Sequence, residues 1–245
     1  MGMPTIQLFS FPSLDSTSLE ARRRLSSCAL PFAVHSEVQT AGYGQQGRTW
    51  QSPRGNLYIT LALPLTGLHH PLPLLPLRAA VTVARWIETV WQVPVKLKWP
   101  NDIMHKGRKL AGILCETSLQ DGVAESVLIG VGINVQCAPE ENLGPGAYPS
   151  VALAELVSDS GWTVGGSQQW AELLLERWAA LWEMNRADIL REFTALQLGP
   201  GEKWVSTEGF VYRDSGISEA GFLQLEGNGE RIELVSGSHG FRWVP

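Results

Sequence analysis

The stretch 42-GYGQQGRTWQSPRGNLYITLALPL-65 decides how the rest of the chain is read. Gly42, Gly44 and Gly47 stand at the G-x-G-x-x-G spacing of a dinucleotide-binding turn. Such a turn needs a strand before the glycines and a helix after them, so that the helix N-terminus meets a pyrophosphate. A short β-prone run, Phe32–Glu37, does come first, but the glycines lead through Pro53 and Gly55 into a second β-prone run, Leu57–Leu63. A loop between two strands is not a Rossmann unit. The same segment brings Arg48, Trp50, Arg54 and Asn56 close together. Glycine backbone and arginine forks suit an anion, and an indole can stack on a base. The segment therefore reads either as a plain glycine-rich surface loop or as a loop that covers an anionic ligand.

Working outward, Ile6–Phe9 reads as a strand and Ser16–Ser27 as a charged helix with Asp15 or Ser16 as its N-cap. Pro64–Pro76 reads as a loop and Leu77–Trp91 as an amphipathic helix. Val95–Trp99, Leu110–Thr117 and Val127–Val135 read as strands, the last two so apolar that they belong in the middle of a sheet. Gln136–Pro149 reads as a loop, Gln168–Met184 and Ala187–Leu198 as helices. The character changes at 199-GPGE-202, beyond which only short β-prone runs follow: Lys203–Ser206, Gly209–Arg213, Phe222–Leu225, Arg231–Val235 and Gly240–Val244. This division gives a body over 1–198 and a small all-β domain over 199–245.

Composition narrows the function. The 245 residues, 44% hydrophobic and 18% charged, suffice for one large core with a small second unit. A net charge of −5 argues against a general nucleic-acid binder. Cys28, Cys115 and Cys137 lie far apart without a C-x-x-C, which suits a reducing cytoplasm. The five histidines show no metal-ligand spacing, no apolar run is long enough to span a membrane, and no signal peptide opens the chain. The Met-Gly start has Ile6 where a myristoylation pattern needs Ser or Thr.

Two further constellations carry chemistry. In 96-KLKWPNDIMHKGRKLAGILCET-117, Asn101-Asp102 suits a turn and contacts to magnesium or hydroxyls. Lys109 then stands between a basic turn and a buried strand containing Gly112, a place from which a lysine can clamp carboxylate and phosphate together. The structural alternative is a charged hairpin turn feeding a core strand. In 127-VLIGVGINV-135, Gly130 and Gly132 interrupt an apolar strand, which marks either a close approach or a bend.

Taken in order, GYGQQGRTW, SPRGNLY, KWPND, RKLAGIL and IGVGIN resemble the biotin protein ligases, over about residues 13–155. The early element is Asp15-Ser16-Thr17-Ser18, and the C-terminal part resembles the family's small domain more loosely. The resemblance implies an α+β fold: a mixed sheet flanked by helices, like the class II aminoacyl-tRNA synthetase core, with an SH3-like C-terminal domain. It implies an enzyme that activates biotin with ATP and magnesium as biotinyl-5'-AMP. That enzyme then transfers biotin to a lysine of the biotin carboxyl carrier protein of acetyl-CoA carboxylase. By position, Lys109 and Arg48 would be catalytic. Ser16, Thr17, Ser18, Gln39, Gly42, Tyr43, Gly44, Gln45, Gly112, Ile113 and Gly130, with Lys109, would hold biotin. Arg48, Trp50, Lys98, Asn101, Asp102 and Asn134 would serve ATP, with Asp102 on the magnesium ion.

The sequence departs from the family pattern in the loop, where Tyr43 and Gln45 replace arginines, and at Ser18, where the pattern has asparagine. With the first core motif near Asp15, the expectation is a form without the helix-turn-helix domain of the DNA-binding members. The expectation is a cytoplasmic monomer or homodimer with no DNA or membrane partner. The competing readings are a lipoate or octanoate ligase or transferase of the related fold, and an adenylate-binding protein without turnover. The C-terminal domain is expected to assist transfer to the carrier, or stability, more than recognition of biotin.

Overall fold

A computed structural model describes residues 5–65, 71–120, 123–139, 148–157, 165–181, 184–199, 201–235 and 240–244. Seven strands make one mixed sheet: β1 (Gln7–Phe11), β2 (Phe32–Ser36), β3 (Leu57–Pro64), β4 (Lys96–Lys98), β5 (Asp102–His105), β6 (Arg108–Gln120) and β7 (Val123–Ile133). Their order is β1-β2-β3-β7-β6-β5-β4, with β1 and β2 parallel and the other neighbours antiparallel. The apolar strands β6 and β7 lie inside the sheet, as their composition requires. Asp102, expected in a turn, instead opens β5, which pairs back on β6 through the tight turn Lys106-Gly107. Both turn residues have positive φ, the conformation a two-residue hairpin demands.

The strands alternate between two covered faces. Leu57, Ile59 and Leu61 of β3 and Val127, Ile129 and Val131 of β7 enter the main core, against α2 (Leu75–Trp91) and α3 (Ser167–Leu181). Residues of the opposite parity, including Phe32, Val34, Ala62 and Leu128, pack under α1 (Thr17–Arg24). α1 covers only part of that face, because Leu25 closes it. Helix α2 starts earlier than expected, at Leu75, with a short 3-10 turn over Leu72–Leu74. A proline in the first turn is compatible with a helix start, so the Pro/Leu-rich run is part helix. Asn185, a break in the periodicity, is the N-cap of α4 (Arg186–Leu196), its side chain accepting from the Asp188 N–H at 3.0 Å. Trp182 and Glu183 of the expected helix ending at Met184, and 140–147 of the expected loop, lie outside the described residues.

His35 shows what burial does in this sheet. It is fully buried on β2, with Nδ1 2.7 Å from Ser10 Oγ and Nε2 without a hydrogen-bond partner among the described residues. Burial holds its pKa down at about 4, and the nearby Glu172 only partly opposes this. A depressed histidine pKa stabilises the fold fully above the unfolded value of 6.5 and progressively less as pH falls through 4. Urea unfolding at pH 7 and pH 5 should therefore differ by about 2 kcal/mol on account of His35. The His35→Leu variant should lose that part of the difference; an unchanged pH dependence would contradict it.

A second, antiparallel sheet follows α4: β8 (Lys203–Ser206), β9 (Val211–Ile217), β10 (Leu223–Gly227), β11 (Glu230–Leu234) and β12 (Phe241–Val244), in the order β11-β10-β9-β8-β12. Strand β9 runs past the expected Arg213, its pairing with β10 continuing beyond an irregularity near Gln224. This sheet is joined closely to the body. Trp204, Tyr212, Leu223 and Trp243 belong to the same apolar core as α2 and β3. The Trp99 indole N–H donates to the Gly221 carbonyl at 2.9 Å, and Gln197 Nε2 to Asp214 Oδ2 at 2.6 Å.

Candidate active site

On the face that α1 leaves uncovered, three strand positions carry glycine: Gly112 on β6, and Gly130 and Gly132 on β7. Without side chains there, the sheet becomes the floor of a cavity of about 330 Å³. The close approach at Gly112 and Gly132 is the Trp50 indole; at Gly130 it is Ser18 Oγ, 3.1 Å from a Cβ there. A Cβ on Gly132 would lie 2.5 Å from Trp50 Nε1, and one on Gly112 would lie 3.0 Å from its Cζ3. The first distance leaves no room for a Cβ without moving the indole; the second is a tight contact that the indole would have to yield to.

One end of the cavity is neutral and polar. Ser16 caps α1, accepting from the Ser18 N–H at 3.2 Å, so Ser16, Thr17 and Ser18 face the cavity at a helix N-terminus. A hydroxyl chain runs from Ser18 to Thr60 (3.1 Å) and from Thr60 to Thr17 (2.8 Å). Gln39 continues it, accepting from the Thr17 hydroxyl at 3.1 Å and donating to Ser52 Oγ at 2.8 Å. Each of these groups is thereby oriented before any ligand is considered.

The other end is cationic. Lys109, just inside β6, reaches Asp102 Oδ1 at 2.5 Å and lies 5.3 Å from the Trp50 ring centre. Its backbone is held on one side by Pro149 and Val151, with the Lys109 N–H donating to the Pro149 carbonyl at 2.7 Å. Lys98 lies 3.2 Å from Asp102 Oδ2. Burial pushes the Lys98 ammonium pKa down, and Asp102 only partly reverses this. Burial alone would raise the Asp102 carboxyl; the two lysines outweigh it and bring the pKa down to about 2. Arg48 and Asn101 complete this end of the wall.

Most of the expected residues come together here: Ser16, Thr17, Ser18, Gln39, Tyr43, Gly44, Gln45, Arg48, Trp50, Lys98, Asn101, Asp102, Lys109, Gly112, Ile113 and Gly130 all line the cavity. Gly42 and Asn134 do not. Gly42 is packed behind the loop, its Cβ position 2.6 Å from Ser52 Oγ and the Trp50 carbonyl oxygen. Asn134 is buried, its amide donating to the carbonyls of Lys109 (3.4 Å) and Val151 (3.3 Å), so it braces the strand that carries Lys109. Asn56, grouped above with the loop, likewise turns inward, where its Oδ1 accepts from the backbone N–H groups of Val135, Gln136 and Cys137.

The sequence reading missed one wall altogether. Tyr148 and, from the C-terminal sheet, Trp204, Phe241, Arg242 and Trp243 also line the cavity. Lys98 Nζ lies 5.0 Å from the Tyr148 ring centre and 5.6 Å from that of Trp204, so the ammonium stands in an aromatic corner. The alternating aromatics of 241-FRWV-244 were the available signal, though nothing local says which face they cover.

With the geometry in view, comparison with known proteins is direct. The chain has the fold of an Aquifex aeolicus biotin protein ligase solved with biotin and ATP, at a TM-score of 0.75 over 97% of this chain and 99% of that one, with 24% identity. Residues 10–134 match the biotin/lipoate A/B protein ligase family. A Paracoccus denitrificans biotin–[acetyl-CoA-carboxylase] ligase is 30% identical over 87% of this chain and 91% of its own length. The bifunctional ligase/repressor BirA of Bacillus subtilis is 39% identical over 44% of this chain, and the match spans only 34% of that relative's length. The chain belongs to the biotin/lipoate A/B protein ligase family.

Proposed function

We propose that this protein is an ATP-dependent biotin ligase that forms biotinyl-5'-AMP and passes biotin to a lysine of the carboxyl carrier protein of acetyl-CoA carboxylase. The observation that carries the reading is the polarity of the cavity: oriented hydroxyl and amide groups at one end, Lys109, Lys98 and Arg48 at the other. Ser16, Thr17, Ser18 and Gln39 offer donors and acceptors for a neutral ureido ring. Gly130, beside Ser18, lets that ring approach the strand backbone, and Gly112 seats the Trp50 indole beside it. The cationic end suits a carboxylate meeting a triphosphate.

In the first step the biotin carboxylate oxygen attacks the α-phosphorus and pyrophosphate leaves. In the second, the carrier amine attacks the acyl carbon, loses a proton, and AMP leaves. Neither step needs a protein nucleophile; both need positioning and positive charge, which Lys109 and Arg48 supply. Trp50 serves the nucleotide base by stacking. Among the described residues no group of three or more His, Cys, Asp or Glu could hold a metal. Asp102 would be the carboxylate nearest the phosphates for a magnesium ion, although both of its oxygens are paired with Lys98 and Lys109. When bound, the ion neutralises phosphate charge. No described helix is long and apolar enough to cross a membrane, and we place the protein in the cytoplasm on its cysteine usage.

Exchange of labelled pyrophosphate into ATP tests the activation step. The expected result is exchange that depends on biotin. Exchange with lipoate or octanoate alone would move the assignment to the family's other branch, and none with any acid would identify a binder without turnover.

A further inference from the structure

We propose that Tyr43, Glu116 and Arg22 form a latch that fastens the glycine loop over the cavity through protein contacts alone, which makes Tyr43 a positioning residue for the bound intermediate. The functional consequence rests on the ligase reading; the latch itself does not.

The loop is a small hairpin. The Trp50 N–H donates to the Gly42 carbonyl at 2.9 Å and the Gly44 N–H to the Arg48 carbonyl at 2.8 Å, with Tyr43 paired to Thr49 between them. Positive φ at Gln46 and Gly47 turns the tip. The hairpin touches the sheet twice. On one side, Trp50 seats on the glycine floor. On the other, the Tyr43 hydroxyl donates to Glu116 Oε2 at 3.0 Å. Glu116 stands on β6 four residues beyond Gly112, on the same face of the sheet. Its second oxygen takes Arg22 Nη2 of α1 at 3.1 Å. Helix, sheet and loop thus meet at one carboxylate.

The chemistry fits a tether. A phenol donating to a carboxylate makes a charge-assisted hydrogen bond, stronger than a neutral one. Burial first, and then Glu116, pushes the Tyr43 phenol up to about 12, so it remains a donor at neutral pH. An arginine in place of Tyr43, as in the pattern this sequence resembles, would extend beyond this point. Tyr43 ends at the carboxylate, so the loop is ordered by a group of the protein and needs no phosphate to hold it.

Trypsin reads the latch directly, because Arg48 is exposed on the hairpin and is cleaved when the hairpin opens. The full chain is digested without substrates, and the cut after Arg48 is followed by mass spectrometry. Tyr43→Phe and Glu116→Ala should each speed the cut about tenfold at an unchanged melting temperature, the scale of one charge-assisted hydrogen bond lost at a half-exposed site. The double variant should be no faster than Glu116→Ala alone, since both remove the Tyr43–Glu116 contact. Wild-type cleavage in Tyr43→Phe, or multiplied effects in the double variant, would overturn the latch. With biotin and ATP, Tyr43→Phe should release biotinyl-adenylate about tenfold faster; an unchanged off-rate would overturn the positioning role. Faster cleavage in a protein that makes no adenylate would leave the latch standing and remove the ligase reading.

Discussion

Lys109→Ala is expected to lower biotin-dependent pyrophosphate exchange by about a hundredfold or more, the scale of losing a charge-stabilising donor. The size follows from the way the residue is held. Pro149 and Val151 fix its backbone, Asp102 and the Trp50 ring fix its ammonium, and the missing side chain at Gly112 lets its aliphatic stem and the Trp50 indole pack against the strand. Alanine removes the charge and leaves Asp102 buried with Lys98 as its remaining lysine partner. Lys109→Arg keeps the charge but replaces a compact point donor by a planar fork, so it should recover only part of the rate. Exchange near the wild-type level in Lys109→Ala would assign the decisive charge to Lys98 or Arg48.

Trp204→Ala is expected to slow adenylate formation itself, by about tenfold, while Trp204→Phe retains most of the rate. The indole forms one side of the aromatic corner around Lys98, and desolvated cation–π contacts of this kind contribute about 2 kcal/mol. Its loss also opens the cavity wall to water and lets the Lys98 ammonium swing from Asp102. This differs from the expectation drawn from composition, in which the residues after 198 act mainly on the carrier. A single-turnover measurement separates the two. Normal exchange with slowed transfer to the carrier would restore the carrier role and remove Trp204 from the activation step.

The contrast between these two residues shows what sequence alone can convey. Lys109 was legible because its surroundings are local: a hairpin turn before it and a glycine in the same strand after it. The glycine positions on β6 and β7 were legible for the same reason, since an interrupted apolar strand announces a close approach wherever it occurs. The identity of the approaching group, Trp50, was not legible, because it depends on how a hairpin folds back across two strands. Trp204 and Trp243 read only as strand residues of a small sheet; their place beside Lys98 follows from how that sheet packs on β4 and Trp99. Asn134 and Asn56 show how a local motif underdetermines a side chain's direction. Each stands beside a glycine-rich motif and invites a ligand role; Asn56 gives its oxygen to backbone, whereas Asn134 donates to backbone and leaves its buried Oδ1 without a partner among the described residues. An asparagine serves either purpose, and only its partners tell them apart. Tyr43 reads from sequence as a lost arginine, whereas its hydroxyl has a partner on β6, Glu116.

The central claim is that the cavity joins biotin to a protein lysine through an acyl-adenylate. Its most direct test is mass spectrometry of a biotin carboxyl carrier domain incubated with this protein, ATP, magnesium and biotin. The account predicts one biotinyl group on one carrier lysine, dependent on ATP and absent with Lys109→Ala. A carrier left unmodified, or one that accepts a lipoyl or octanoyl group in place of biotin under the same conditions, would contradict it.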